Sequence, residues 1–406
     1  MKKNNVYVLL LSFIAFFMMS CSTKNEKVQG EPDVKSFDTS GKIKVGVFNR
    51  NGDSPICIVD AVEALKIDKD IIPQVISAAD IMSDKLDQLD VVLFPGGGGK
   101  SETNSLGQKG IEKIREYVLK KGKGVIGICA GAYILTATSG YPSLDLSAYK
   151  AIDIEHDHRG NGLVKFNLTS EGEKIFPELK DREISYCNYY EGPVLEAINV
   201  ENVKSSSLST MLSDVHLIEG TPADMTNNKP FVVVTDAGKG RTASFVGHPE
   251  STPGMRWMIP RIARYVAKRD FIQYNSSVVR PETHTKEILF DKEKRTLQRK
   301  LYNDLFKTPE EKINAIHEIT SLNVWSAKKY FMGMLRDFNP EVRQEAAKAL
   351  VQLERTDAIY DVEVALSQEK NVKTKAVLEE SLNKLKSMIG NQNLLKDREL
   401  FVVHGF

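Results

Sequence analysis

The chain is predicted to be α/β, a doubly wound and mostly parallel sheet followed by a small all-α domain. Three observations carry this. Short apolar runs alternate with helical patterns from Lys42 onward. Several of those runs are continuous rather than alternating, as in parallel strands buried on both faces. Beyond residue 300 a motif recurs about every thirty residues at helical spacing.

The elements follow in order. Ile43–Phe48 is a short apolar strand, Asn49–Ser54 a turn cluster, and Pro55 opens a helix with Val59, Val62 and Leu65 on its apolar face. Asp90–Phe94 is a central strand that stops at Pro95-Gly96-Gly97-Gly98-Gly99. A helix with Ile111, Ile114, Tyr117 and Val118 at its spacing leads to the strand Gly124–Ile128, which turns at Cys129 into another helix. Such alternation implies right-handed crossovers. Ile152–Thr169 reads as antiparallel, Phe231–Val246 as a hairpin turning near Gly238, and Met255–Arg269 as an amphipathic helix that closes the domain. Residues 270–300 read as a connector, and the basic run Lys292–Lys300 as a solvated helix face.

Pro309–Ile319 aligns with Pro340–Leu350 at an offset of 31, and Asn371–Val377 follows the second copy at an offset of 30. The second copy, Asn-Pro-Glu-Val-Arg followed by Ala-Ala-x-Ala-Leu, resembles a HEAT-type repeat. Such units bury their apolar faces only by stacking on one another. The expected boundaries are an α/β domain over 42–269, the connector over 270–300, HEAT-like repeats over 301–390 and a tail over 391–406. A protein partner is expected at the repeats.

With 406 residues, 41% of them hydrophobic, the chain can bury real cores, and wholesale disorder is excluded. Lys+Arg and Asp+Glu number 55 and 54, so no bulk field draws the chain to nucleic acid. Residues 1–20 read as a signal peptide: Lys2 and Lys3, then an apolar stretch from Val6 to Met19 too short to span a bilayer. Ser20-Cys21 at its end resembles a lipobox, with cleavage before Cys21 and acyl chains on that cysteine; a plain secretory signal is the alternative. Either way the protein is expected to be exported. Acylation would anchor it in the bacterial cell envelope, with residues 21–41 as a polar tether.

Gly127-Ile128-Cys129-Ala130-Gly131 lies between a strand and a helix and has the form of a nucleophile elbow, where the turn is so tight that small residues must flank the nucleophile. The helix behind Cys129 turns the positive end of its dipole to the sulfur. A cysteine nucleophile needs a base, and the base needs an orienting carboxylate. His248 and Glu250, directly after the strand Thr242–Val246, are candidates. Gly96, Gly97 and Gly98, with Ala130, can aim backbone N–H groups at an oxyanion. The phosphate-loop alternative fails because Phe94 stands where its first glycine is needed. His156 and His158, two apart on an expected strand beside Glu155, raise a metal site, but no further ligand cluster accompanies them. No metal or cofactor is expected. Cys57 and Cys187 are read as buried free thiols, an exported disulfide being the alternative.

The glycine loop, the cysteine elbow and the late His-x-Glu, in this order over residues 42–269, resemble the class I glutamine amidotransferase superfamily, a flavodoxin-like fold. The closer resemblance is to the N-terminal domain of eukaryotic-type biotin-protein ligases and of stand-alone bacterial proteins. It rests on Asp153–Val164, with His158-Arg159-Gly160, and on Tyr189-Tyr190-Glu191-Gly192-Pro193. Members of that family often carry Asn-Gly-Gly there, and Glu191 departs from it. The resemblance implies Cys129, His248 and Glu250 as a triad and His158, Arg159, Tyr190 and Glu191 as substrate contacts. It does not imply ligase activity, which resides in a separate catalytic domain. Three functions follow: a cysteine hydrolase or amidase on an unknown small molecule, a non-catalytic binding module, or a redox thiol protein.

Overall fold

The computed structural model describes residues 40–49 and 55–390. The expected signal peptide, the acylated Cys21, all but the last two residues of the tether and the tail over 391–406 lie outside the described residues.

Strand and helix alternate as expected. The first half comprises β1 (Ile43–Phe48), α1 (Pro55–Leu65), β2 (Ile71–Ile76), α2 (Ala78–Met82), β3 (Val91–Phe94), α3 (Gly99–Leu119, interrupted at Gly107), β4 (Gly124–Ile128) and α4 (Ala130–Leu135). There follow β5 (Tyr149–Ala151), β6 (Asn161–Leu168), α5 (Ser170–Ile175), β7 (Ser185–Tyr190), β8 (Leu195–Ala197), β9 (Val203–Met211), β10 (Pro230–Ala237), β11 (Gly240–Phe245) and α6 (Met258–Val266). The short β12 (Ile288–Leu289) precedes α7 (Lys292–Asp304), α8 (Pro309–Ser321), α9 (Lys328–Met334), α10 (Pro340–Gln352), α11 (Ile359–Gln368) and α12 (Val372–Ser387).

The strands β2, β1, β3, β4 and β11 lie side by side in that order and run parallel. An antiparallel extension, β10, β9 and β6, continues from β11, and both β7 and β12 pair with β6. Side chains alternate between the faces of the parallel part. Val45, Leu93 and Ile126 face one apolar cluster with α1 and α6, while Phe48, Val92 and Val125 face another with α3 and α4. Both faces are covered, which is why these strands read as continuous apolar runs. The sheet is doubly wound.

One expected strand does not form. Between β5 and β6 the chain makes a 3₁₀ turn at Ile154–His156, so His156 and His158 do not share a strand face. The reason is local. The buried Asp153 carboxylate accepts from Val194 N–H at 3.0 Å and from the Tyr133 hydroxyl at 2.5 Å, and it pairs with Arg159, pulling the segment out of line.

The C-terminal helices pack in sequence, α8 on α10 and α10 on α12. Their starts are capped by Thr308, Asn339 and Asn371. The third cap comes two residues later than the sequence alignment implies. The α8–α12 segment shares its apolar cluster with the sheet: Ile316, Phe331, Leu350 and Leu385 belong to the cluster that contains Val45 and Ile126. Buried polar bonds reinforce the contact. Arg355 pairs with Asp60 of α1, the Thr356 hydroxyl donates to Glu63 at 2.7 Å, and the Arg256 guanidinium donates to the Glu354 carbonyl at 2.7 Å.

Candidate active site

The parallel strands β3, β4 and β11 are neighbours, and each ends in one of the three sequence signals. Cys129 follows β4 with φ 52° and ψ −104°, a conformation that costs a non-glycine residue on the order of 1–3 kcal/mol. The flanking glycines are steric necessities. A Cβ on Gly127 would stand 2.3 Å from the Gly131 carbonyl oxygen, and one on Gly131 would stand 2.1 Å from that of Phe94. This is the strained elbow the G-x-C-x-G spacing implies. Cys129 is 6% exposed, and its thiol donates to the Tyr190 carbonyl at 3.2 Å.

His248 follows β11. Its Nδ1 lies 2.7 Å from Glu250 Oε1, and both side chains are buried. The His248 amide is itself held by a 2.6 Å bond to the Asn188 carbonyl. Burial alone would lower the His248 pKa. The Glu250 carboxylate and the Cys129 sulfur, both in contact with the ring, outweigh it and hold the imidazolium well above its ordinary range. The structure therefore brings the side chains of Cys129, His248 and Glu250 together, with the imidazole between the sulfur and the carboxylate.

The glycine loop leaves β3 beside them. A Cβ on Gly96 would meet His248 Cε1 at 2.7 Å, so Gly96 lets the loop pass under the imidazole. Gly97 has φ 134°, and Gly98 caps α3. Gly97, Gly98 and Ala130 line one cavity with Cys129. Ala130 opens α4, and the first N–H groups of a helix lack intrahelical acceptors. Three of the four expected oxyanion donors, Gly97, Gly98 and Ala130, thus share a cavity with the sulfur; Gly96 does not line it.

The cavity, about 870 Å³, lies between the sheet edge and the helical segment. Its far wall comes from residues that the sequence reading passed over. Trp325 stacks on His248 with ring centroids 5.9 Å apart and meets Tyr190 edge-on at 6.5 Å. Asn323 donates to Asn188 Oδ1 at 2.7 Å, bonding the helical wall to the residue that holds the His248 backbone. Arg295 and Arg299 of α7 also line it, so the basic run expected to be a solvated face turns two guanidinium groups to the cavity. Cys57 lines it too; Cys187 is buried elsewhere, where burial pushes its thiol pKa up. Cys187 is a buried free thiol as expected, whereas Cys57 is only half-buried.

Of the four expected substrate contacts, His158, Tyr190 and Glu191 line the cavity. Arg159 does not. It is fully buried, paired with Asp153 and bonded to the His156 carbonyl at 2.7 Å, a structural ion pair instead of a substrate contact. Among the described residues no group of three or more metal-ligating side chains converges. Glu191 has φ 53°, in the left-handed region that glycine adopts freely, at the point where the resembled family often has glycine. Its carboxylate accepts from His158 at 2.9 Å, but the His158 side chain is 82% exposed, so the pair adds little. Glu191→Val is expected to be less stable than Glu191→Gly by about 1–2 kcal/mol, read from urea midpoints. Equal midpoints would remove the backbone explanation for the glycine.

The elements that carry the glycine loop and the elbow lie within one recognisable segment. Residues 43–145 match the family model described as biotin-protein ligase, N terminal. The match takes in β1 to β4 and Cys129; His248, Glu250 and the helical wall lie beyond it. No curated protein matches the chain. Among solved structures, the glutaminase domain of CTPS from Trypanosoma brucei is similar at 11% identity and TM-score 0.38, over 58% of this chain and 98% of that one. SMU.1228c is similar at 15% identity and TM-score 0.35, over 60% and 88%. The beta-galactosidase from Bacillus circulans sp. alkalophilus is similar at 15% and 0.33, over 56% of this chain and 31% of its own. The glycine loop, the cysteine elbow and the histidine thus stand at three adjacent strand ends of a doubly wound sheet.

Proposed function

We propose that the protein is a cysteine-dependent hydrolase or amidase that works through an acyl-enzyme. The carrying observation is the 2.7 Å bond between His248 and Glu250 beside a cysteine on a strained elbow. Cys129 passes its thiol proton to His248 as its Sγ attacks the carbonyl carbon of an amide or ester, and the oxyanion that forms is met by N–H groups of Ala130 and the Gly97–Gly98 loop. His248 gives its proton to the departing amine or alcohol as the tetrahedral adduct collapses to a thioester. Water then attacks the thioester carbonyl while His248 accepts its proton. The acid is released and the thiol restored. Glu250 keeps the imidazole in the orientation and charge state both transfers need.

The decisive experiment is a screen of chromogenic amides and esters with the full chain. Cys129→Ala is expected to lose at least about a thousandfold in turnover. Turnover unchanged by that substitution defeats the assignment.

One observation favours a second reading, a non-catalytic binding module. The Cys129 thiol donates to a carbonyl, and Trp325 packs flat on the base. Under that reading Cys129 would not alkylate in the native protein.

We further propose an exported, lipid-anchored location through Cys21, supported by the basic n-region, the apolar stretch and Ser20-Cys21. A protein partner at the helical segment belongs to the same proposal. Phe306, Phe338 and Val372, near the starts of α8, α10 and α12, are exposed and support it.

A further inference from the structure

The cavity holds an imbalance of charge that the triad does not use. Its two carboxylates other than the triad's, Asp157 and Glu191, both face one imidazole. Glu191 lies 2.9 Å from His158 Nδ1 and Asp157 lies 3.9 Å from its Nε2. The Glu191 carboxylate raises the His158 pKa above its usual value, and with His158 protonated the three groups leave one net negative charge. Three further cations line the same space: Lys100 at the start of α3, and Arg295 and Arg299 on α7. Among the described residues none of the three has a carboxylate within ion-pair distance.

Arg295 is oriented by neutral acceptors alone. Its Nε donates to the Phe290 carbonyl at 2.9 Å and its Nη2 to Asn161 Oδ1 at 3.4 Å. These bonds fix the guanidinium without cancelling its charge, and they leave part of its five-donor fork unused. Phe290, Tyr302, Leu163 and Trp325 line the cavity around these cations. Apolar walls concentrate the field of charges of one sign in a cleft and raise the local concentration of the opposite ion. Guanidinium groups suit carboxylates in particular, because the planar fork matches two oxygens at once.

We propose that the substrate is an anion: an acyl compound whose non-reacting end carries a carboxylate or similar group, held by Arg295, Arg299 and Lys100 while its carbonyl lies at Cys129. This deepens the hydrolase reading and rests on it. The helical segment then supplies specificity, since two of the three cations come from α7.

The test compares two alkylating agents of similar size and opposite demands, anionic iodoacetate and neutral iodoacetamide. Rates at Cys129 are measured on the full chain by peptide mass spectrometry, at low salt and with glutathione as reference thiol. The iodoacetate-to-iodoacetamide rate ratio is expected to exceed that of glutathione by about fivefold or more, and to fall toward it in high salt. Arg299→Gln should lower the ratio several-fold, and adding Lys100→Gln should lower it further. Both side chains are exposed and unpaired, so the variants should fold, and the ratio cancels any change in the sulfur's own reactivity. A ratio equal to that of glutathione, or one insensitive to both substitutions, overturns the anion subsite and leaves the nucleophile standing. If neither reagent modifies Cys129 in the native chain, the nucleophile falls, and the substrate proposal falls with it.

Discussion

Replacing His248 with alanine is expected to slow iodoacetamide alkylation of Cys129 at pH 6 by about a hundredfold. An ordinary thiol, with a pKa near 8.5, is only about 0.3% thiolate at that pH. In the wild-type protein the His248 imidazole stands beside the sulfur and can act as its base. The His248 pKa is raised: burial pulls it down, and the Glu250 carboxylate and the Cys129 sulfur more than reverse this. A histidine with a raised folded pKa contributes stability that is fully present below about pH 6.5 and lost as pH rises through the raised value. The raised pKa extends the protonated form of His248, beside the Cys129 sulfur, to higher pH than for an ordinary histidine. Wild-type labelling should fall less steeply from pH 8 to pH 6 than that of His248→Ala, because the imidazole beside the sulfur can take its proton. Labelling of His248→Ala should fall about tenfold per unit, as for a free thiol. Glu250→Gln should lie between the two, since it leaves the ring in place but removes the larger of its two supporting charges. If Cys129 reacts only in denaturant, or identically with and without His248, the site is not a catalytic one.

The second large effect lies away from the nucleophile. Arg355→Met is expected to lower the unfolding free energy by about 3–5 kcal/mol, seen as a drop in the urea midpoint. Arg355 is almost fully buried and pairs with Asp60 of α1 and, at 3.2 Å, with Asp357. Asp60 is 1% exposed, and its other cation, Lys328, stands 3.4 Å away. Removing the guanidinium leaves a carboxylate in a dry interface between the sheet's helical layer and the C-terminal helices. The cost belongs to the stranded charge more than to the lost attraction. The double variant Asp60→Asn with Arg355→Met should therefore recover a substantial part of the stability. A single-variant loss under about 1 kcal/mol would mean that water reaches this interface.

The part of the site that could be read in the sequence was the part whose constraints are local. Gly127 is required by its contact with Gly131 inside the elbow, and Glu250 reaches His248 across two positions; Gly131 is required by Phe94 of β3, but its two-residue spacing from Cys129 can be read locally. The continuous apolar runs followed from burial on two faces. Trp325, Asn323, Arg295 and Arg299 carry no such local signature. Helical periodicity in Lys292–Asp304 marks the buried stripe, but it does not say whether the remaining face meets solvent or a cavity. Arg159 illustrates the reverse case. Beside His158 in a family-like motif it reads as a contact for substrate, and only the tertiary fold reveals Asp153 as its partner. Glu191 reads as a change in the pocket's chemistry, whereas its φ of 53° also makes it a backbone matter.

The cavity wall built from Arg295 to Trp325 sets an order of events in the life of the chain. Synthesis runs from the N-terminus, so the nucleophile, its base and its carboxylate all exist before the wall that encloses them. A nascent chain that ends near Arg269 has every residue of the triad yet presents Cys129 without the Trp325 cover and the α7 arginines. Enclosure and anion selection arrive together, with the last third of the polypeptide. A message truncated before Arg295 would encode every residue of the triad and none of the wall from Arg295 to Trp325.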